Sequence, residues 1–201
     1  MNLSVHSLYF SYQAAPLLRD LDFSLDTGSF VCVLGKNGAG KSTLFQCILN
    51  LQKNYTGMIS LDGQNVKALK EKELAKSIAY IPQLHKQSFP FSVFDTVLMG
   101  TAASLSPFST PKEAQKEAAM EALHLMGMEK YASRSFSHLS GGEQQMVLIA
   151  RALAQKAPIL IMDEPCSNLD YGNQIRLLKK FKNSFLHLDI LFCFPLIIRN
   201  M

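Results

Sequence analysis

One run limits what this chain can fold into more than any bulk property does: Gly35-Lys36-Asn37-Gly38-Ala39-Gly40-Lys41-Ser42, entered from the apolar stretch Phe30-Val31-Cys32-Val33-Leu34. Its form, G-x-x-x-x-G-K-S, is that of a phosphate-binding loop. Glycines at both ends and in the middle let the backbone wrap an anion with its N–H groups turned inward, and Lys41 adds positive charge toward β- and γ-phosphates. Ser42 offers a hydroxyl to Mg2+. Leu44, Phe45, Ile48 and Leu49 then fall on one helical face, so the segment predicts a strand, a turn and a helix whose N-terminus meets the phosphate.

A chain of 201 residues is long enough for one α/β domain with a sizeable core and an inserted subdomain. Hydrophobic content of 48% against 18% charged places it far from disorder. The net charge of +4 comes without a basic run or an aromatic-studded Arg/Lys stripe, so nucleic acid is not an expected partner. Cys32, Cys47, Cys166 and Cys193 show no C-x-x-C spacing and read as reduced thiols of a cytosolic protein. No basic-then-apolar leader opens the sequence, and the longest apolar run, Ile190 to Ile198, falls far short of the ~20 residues that span a bilayer. A membrane, if one matters, is expected to belong to a partner.

Ahead of the loop, Leu3 to Tyr12 and Leu21 to Leu25 alternate as strands of an antiparallel sheet, with Tyr12 at a strand end where its ring is free to stack on a base. Behind it, Gly57 to Gly63 predicts a strand closed by an Asp-Gly turn, Leu69 to Lys76 a charged helix, and Ser77 to Ile81 a strand stopped by Pro82, which leaves Gln83 in a loop at the sheet's end. From about residue 84 to 150 the pattern turns helical. Ser92 caps one expected helix, Thr110-Pro111-Lys112-Glu113 opens another that ends at Gly127, and Met126, Met128 and Met146 read as core filler. The stretch Leu139-Ser140-Gly141-Gly142-Glu143-Gln144 begins a further helix whose N–H groups and dipole favour an anion. After Pro158 the run Ile159 to Met162 predicts a buried parallel strand delivering Asp163 and Glu164 at its C-terminal end, the edge where open α/β sheets bind ligands. Asp163 suits Mg2+ and its water shell; Glu164 suits polarising the water that attacks a γ-phosphate.

Taken in this order, the motifs resemble the nucleotide-binding subunit of ABC transporters over about residues 3 to 182. The resemblance assigns Tyr12 to adenine stacking, and Gly35, Asn37, Gly38, Gly40, Lys41, Ser42 and the adjoining Thr43 to ATP. It gives Gln83 to catalysis, to Mg2+ and to coupling with the membrane subunit, Ser140, Gly141 and Gly142 of the family signature to ATP, Asp163 to Mg2+, Glu164 to catalysis, and Asp170, in the loop that follows, to ATP. Glu143 stands where the most common signature has glutamine. The implied fold is a P-loop NTPase core, a mixed sheet flanked by helices, with an antiparallel β subdomain and a helical subdomain. The implied mechanism is a head-to-tail pair of copies around two ATP molecules, with Ser140-Gly141-Gly142 of one copy facing the γ-phosphate held by the other. Transmembrane permease subunits, an indirect substrate-binding protein and a peripheral position on the cytoplasmic membrane face complete the implication. Val93 to Gly100 and Leu169 to Gln174 are similar to importers of the iron-siderophore, haem or cobalamin type.

The C-terminal end departs from that pattern. The family carries a switch histidine on the strand after the helix that begins near Asp170; His187 comes too early for it, and from Leu191 onward no turn, cap or amphipathic logic is legible. Suitable codons for Phe192 to Met201, read two bases on, encode Leu-Phe-Ser-Thr-His-His-Pro-Glu-His, close to the family's histidine segment. Residues 183–201 are therefore expected to be a tail outside the ATP-binding domain of residues 1–182, produced by a frameshift between Lys182 and Leu191, with ATP binding kept and turnover weakened. Two alternatives stand beside the transport reading: a truncated remnant that binds ATP without catalysis, and an ABC-type ATPase not linked to transport.

Overall fold

Residues 3 to 10 form strand β1 (Leu3–Phe10), but its alternation breaks partway along. Leu3 and Val5 are buried and so are Leu8 and Phe10, a change of parity that an unbroken strand cannot make. The break is a bulge at Ser7, whose φ of 44° lies in the left-handed region and whose N–H turns to Asp22 Oδ1 at 3.2 Å. Register slips at this point against both neighbours, β2 (Leu18–Leu25) and β4 (Thr56–Leu61). Gly57 sits opposite with φ 89°; a Cβ there would come within 2.1 Å of Ser7 O. Asp62 and Gly63, both at positive φ, turn β4 into β5 (Gln64–Asn65) as the Asp-Gly pair predicts. The antiparallel sheet has the order β2-β1-β4-β5.

This computed structural model describes residues 1–26, 28–83, 91–106, 109–164 and, in backbone, 189–195. Its second sheet is parallel, in the order β3 (Phe30–Gly35), β8 (Asp189–Pro195), β7 (Ile159–Asp163), β6 (Ile78–Ile81). All of β7 is buried. Ile159 and Ile161 join the core shared by helix α1 (Lys41–Ile48) and β1; Leu160 and Met162 join the core beneath the helical subdomain. Helix α2 (Glu71–Ser77) leads into β6. The mixed α/β expectation holds, with an antiparallel layer and a helical region on the parallel core.

The stretch beyond residue 183 contains more order than its sequence shows. Strand β8 runs between β3 and β7, with Leu191 opposite both Val31 and Ile161. A strand in the middle of a parallel sheet needs a near-continuous apolar run rather than alternation, which is why Ile190 to Phe194 carry no amphipathic signal. His187, Cys166 and the Ser167–Asp170 stretch lie outside the described residues.

The helical region consists of α3 (Val93–Leu98), α4 (Glu113–Met126) and α5 (Gly141–Ala154). Ser92 caps α3 by accepting from Asp95 N at 3.0 Å. Helix α4 starts later than Thr110-Pro111 suggests: Lys112 is the boundary, and Gln115 Oε1 reaches back to accept from Lys112 N at 3.1 Å. Gly127 ends it with φ 71°. Met126 and Met128 are buried and Met146 packs against the same core. Gly100 lets the turn after α3 lie directly on α5, because a Cβ there would be 2.0 Å from Arg151 O. Among the described residues no helix is long and apolar enough to cross a membrane.

Candidate functional site

Strands β3, β6 and β7 run in parallel, so Gly35, the Pro82-Gln83 segment and Asp163-Glu164 all leave the sheet at one edge. There a cavity of about 500 Å3 is lined by Tyr12, Leu17, Asn37, Gly38, Gly40, Lys41, Ser42, Thr43, Gln83 and Glu164. The loop beneath it depends on glycine. Gly38 and Gly40 hold φ of 79° and 91°, and a Cβ on Gly40 would press into Leu18 and Leu17 at 2.8 and 3.0 Å. Gly40 also caps α1, which has no side-chain cap and no acidic residue in its first turn. Its leading N–H groups are therefore left for a ligand. Lys41, only 8% exposed, donates from Nζ to Gly35 O at 2.9 Å and Lys36 O at 3.0 Å.

Tyr12 stands two residues beyond β1, edge-on to Phe10 with ring centroids 4.8 Å apart. Its hydroxyl lies 3.4 Å from Thr43 Oγ1, and the ring stays 59% exposed. On the far side, Gln83 Nε2 donates to Glu164 Oε2 at 2.9 Å, joining residues 81 positions apart. Glu164 adopts φ 49°, a left-handed kink that turns its carboxylate from the end of β7 into the cavity. Asp163, 3% exposed, ends β7 just behind it. Among the described residues no cluster of three or more His, Cys, Asp or Glu is arranged to enclose a metal.

Of the residues expected at a nucleotide site, the structure gathers Tyr12, the loop, Thr43, Gln83 and Glu164 around one cavity. Ser140, Gly141 and Gly142 do not line it; they open α5, with Ser140 and Gly141 exposed. Asp170 lies outside the described residues. Around Ser140 the contacts are dense: its N–H and its hydroxyl both donate to Glu143 Oε2, at 2.8 and 2.7 Å. These hydrogen bonds, the hydroxyl's first, hold the Glu143 carboxyl below the usual carboxylate range. Sequence reasoning treated Glu143 only as a variant letter, although Ser-x-x-Glu before a helix is a capping-box signal. It also passed over Leu17, whose place in the cavity wall depends on strand pairing rather than on motif.

A second cavity, about 520 Å3, opens between the C-terminal end of α1 and α2. Leu49, Leu51, Leu69, Leu74, Ile78 and Tyr80 line it together with Asn50, Lys53, Glu71 and Gln155, and Leu51 is exposed.

The family model described as ABC transporter matches residues 18–167. An uncharacterized ABC transporter ATP-binding protein of Haemophilus influenzae is 45% identical over 182 residues, which cover 90% of this chain and 69% of that protein. A protein of Helicobacter pylori described as a probable iron chelatin transport ATP-binding protein is 42% identical over 175 residues, 87% of this chain and 69% of its own length. Among solved structures, an ABC transporter assigned to the metal-chelate type, in an inward-facing conformation, superposes with a TM-score of 0.81 at 35% identity, covering 96% of this chain and 72% of that one.

Proposed function

From the fact that this chain belongs to the family of ABC transporter ATP-binding proteins, we propose that it binds and hydrolyses MgATP to energise import of a metal chelate, of the iron-siderophore, haem or cobalamin type, through a membrane permease. The observation that carries the reading is the convergence of the glycine loop, Lys41, Tyr12, Gln83 and Glu164 on one cavity. Each group has a task its geometry suits. The Tyr12 ring offers an apolar face to the base. The N–H groups opening α1 and the third donor of the Lys41 ammonium take the β- and γ-phosphates. Glu164 accepts the proton of the attacking water, and Gln83, which holds that carboxylate, releases it as the site closes.

The Ser42 hydroxyl and the Asp163 carboxylate fit Mg2+. The ion is usually held by one or two protein oxygens, with water and substrate phosphates completing its shell; Ser42 lines the cavity, and Asp163, buried, ends β7 directly before Glu164. When bound, the ion would neutralise phosphate charge.

A second copy completes the pocket in this reading: Ser140, Gly141 and Gly142 do not line their own chain's cavity, and Ser140 and Gly141 lie exposed at the start of α5, where a twin's γ-phosphate would meet them. Asp170 belongs to the same interface on the strength of the resemblance alone. Gln83, at the border of the helical region, is the link to the permease, and the cavity that Leu51 lines, apolar residues edged by Lys53 and Glu71, is the surface a permease helix would cover. The chain then works at the cytoplasmic face of the membrane, with a substrate-binding protein choosing the solute.

One observation favours a second reading, ATP binding with little turnover. Beyond β8 the sequence continues Leu196-Ile197-Ile198, with no histidine to act as the family's switch. We attribute residues 183–201 to a shifted reading frame that begins between Lys182 and Leu191. DNA across the last thirty or so codons tests this: a shifted frame that fails to encode His-His-Pro refutes it. The main reading is tested by calorimetric MgATP titration and by co-expression with a two-protein permease. Binding and co-purification are expected; a chain that does not bind MgATP ends the proposal.

A further inference from the structure

We propose that Glu143 is a positioning residue that keeps the Ser140 hydroxyl from an incoming phosphate, so that α5 carries its own anionic competitor for the twin copy's nucleotide. The proposal rests on the reading that Ser140-Gly141-Gly142 meets the γ-phosphate bound by a second chain.

A serine hydroxyl has one proton to give, and here it goes to Glu143 Oε2 at 2.7 Å. The Ser140 N–H goes to the same oxygen at 2.8 Å. What remains on the hydroxyl is acceptor capacity, part of it used by Glu143 N at 3.4 Å. A phosphate oxygen only accepts. The Ser140 hydroxyl can therefore serve a phosphate only after its proton turns away from Glu143.

The carboxylate resists that turn. It sits in the first turn of a 14-residue helix, where its charge already meets the positive end of the dipole. The other groups acting on it are the Tyr131 hydroxyl and the Arg134 guanidinium, both of which favour its charge. All three influences favour the ionised form at neutral pH, and the hydroxyl's bond to it is charge-assisted. Glutamine at position 143 would keep the cap, since Gln serves at this position as Glu does, but would accept the Ser140 proton as a neutral amide. It would also remove a negative charge from the path of the phosphate. Glu143 thus sets a threshold: ATP on one copy must displace an internal carboxylate on the other before the pair closes.

The test is E143Q in the full chain, read as the dissociation constant of the dimer formed with Mg2+ and a non-hydrolysable ATP analogue, measured by sedimentation. Hydrogen bonds to charged acceptors exceed neutral ones by enough to give about fivefold tightening per site, hence roughly 25-fold for a dimer with two sites. Nucleotide binding by the single chain and the melting temperature should stay close to those of the parent, which separates the effect from a change in folding. The same substitution is then made in an S140A chain, where it should tighten association clearly less, because only the effect of the removed charge remains. No tightening by E143Q, or equal tightening with and without the Ser140 hydroxyl, overturns the proposal. If neither parent nor E143Q associates while both still bind nucleotide, the shared-pocket reading falls and this proposal falls with it.

Discussion

Replacing Lys41 by alanine removes a cation whose surroundings define what it can do. The side chain is 8% exposed, and two of its three ammonium donors are fixed on Gly35 O and Lys36 O at 2.9 and 3.0 Å. These bonds hold the amine in place, and the third donor meets a phosphate oxygen without giving either of them up. The whole of that contact should then appear in affinity. Truncating one partner of a desolvated, hydrogen-bonded charge pair costs about 2–5 kcal/mol, which corresponds to roughly a 30- to 4,000-fold rise in Kd. In the free protein, two carbonyls near the surface exchange an ammonium for water, so the melting temperature should drop by only a few degrees. Arginine should not rescue binding, because a planar guanidinium cannot set a compact donor group between the same two carbonyls. Isothermal titration with MgATP and with ADP, alongside a circular-dichroism melt, reads all three quantities. The loss should be larger for ATP than for ADP. A K41A chain that stays folded and binds MgATP within about threefold of the parent would refute the reasoning.

Glu164→Gln should leave MgATP binding within a few-fold while cutting any hydrolysis by about 10²–10⁴, the usual contribution of a general base; phosphate release in single turnover measures it. Gly100→Ala should destabilise the fold by about 1–3 kcal/mol as overpacking does, because its Cβ would sit 2.0 Å from the Arg151 carbonyl, and urea unfolding reads the loss. Burial pushes the Cys47 thiol up to about 11, so the folded chain keeps a proton that the unfolded chain gives up near pH 9. That contribution is complete below pH 9 and is lost as pH rises toward 11, so stability should fall across this window and fall less steeply in Cys47→Ala.

The glycine loop was legible because its demands are local. Left-handed φ at Gly38 and Gly40 and an uncapped helix start are properties of a few adjacent residues, and the letters G-x-x-x-x-G-K-S carry them. The ends of α3 and α4 at Ser92 and Gly127 and the Asp62-Gly63 turn were legible for the same reason. The start of α4 was not, since Thr110-Pro111 and Gln115 offered competing ways to satisfy the first N–H groups, and Gln115 prevailed.

By itself the sequence determined the local chemistry: which loop wraps an anion, which helix starts are left open or capped, and which strand ends in paired carboxylates. Tertiary structure decided the rest. The bulge at Ser7 exists because two neighbouring strands must both be satisfied, and Asp22 takes the amide it frees. Gln83 meets Glu164 across 81 positions only because β6 and β7 lie side by side. Strand β8 finds its place because the gap between β3 and β7 needs a ladder partner on each side, a requirement of distant backbone that no periodicity within residues 189–195 can express.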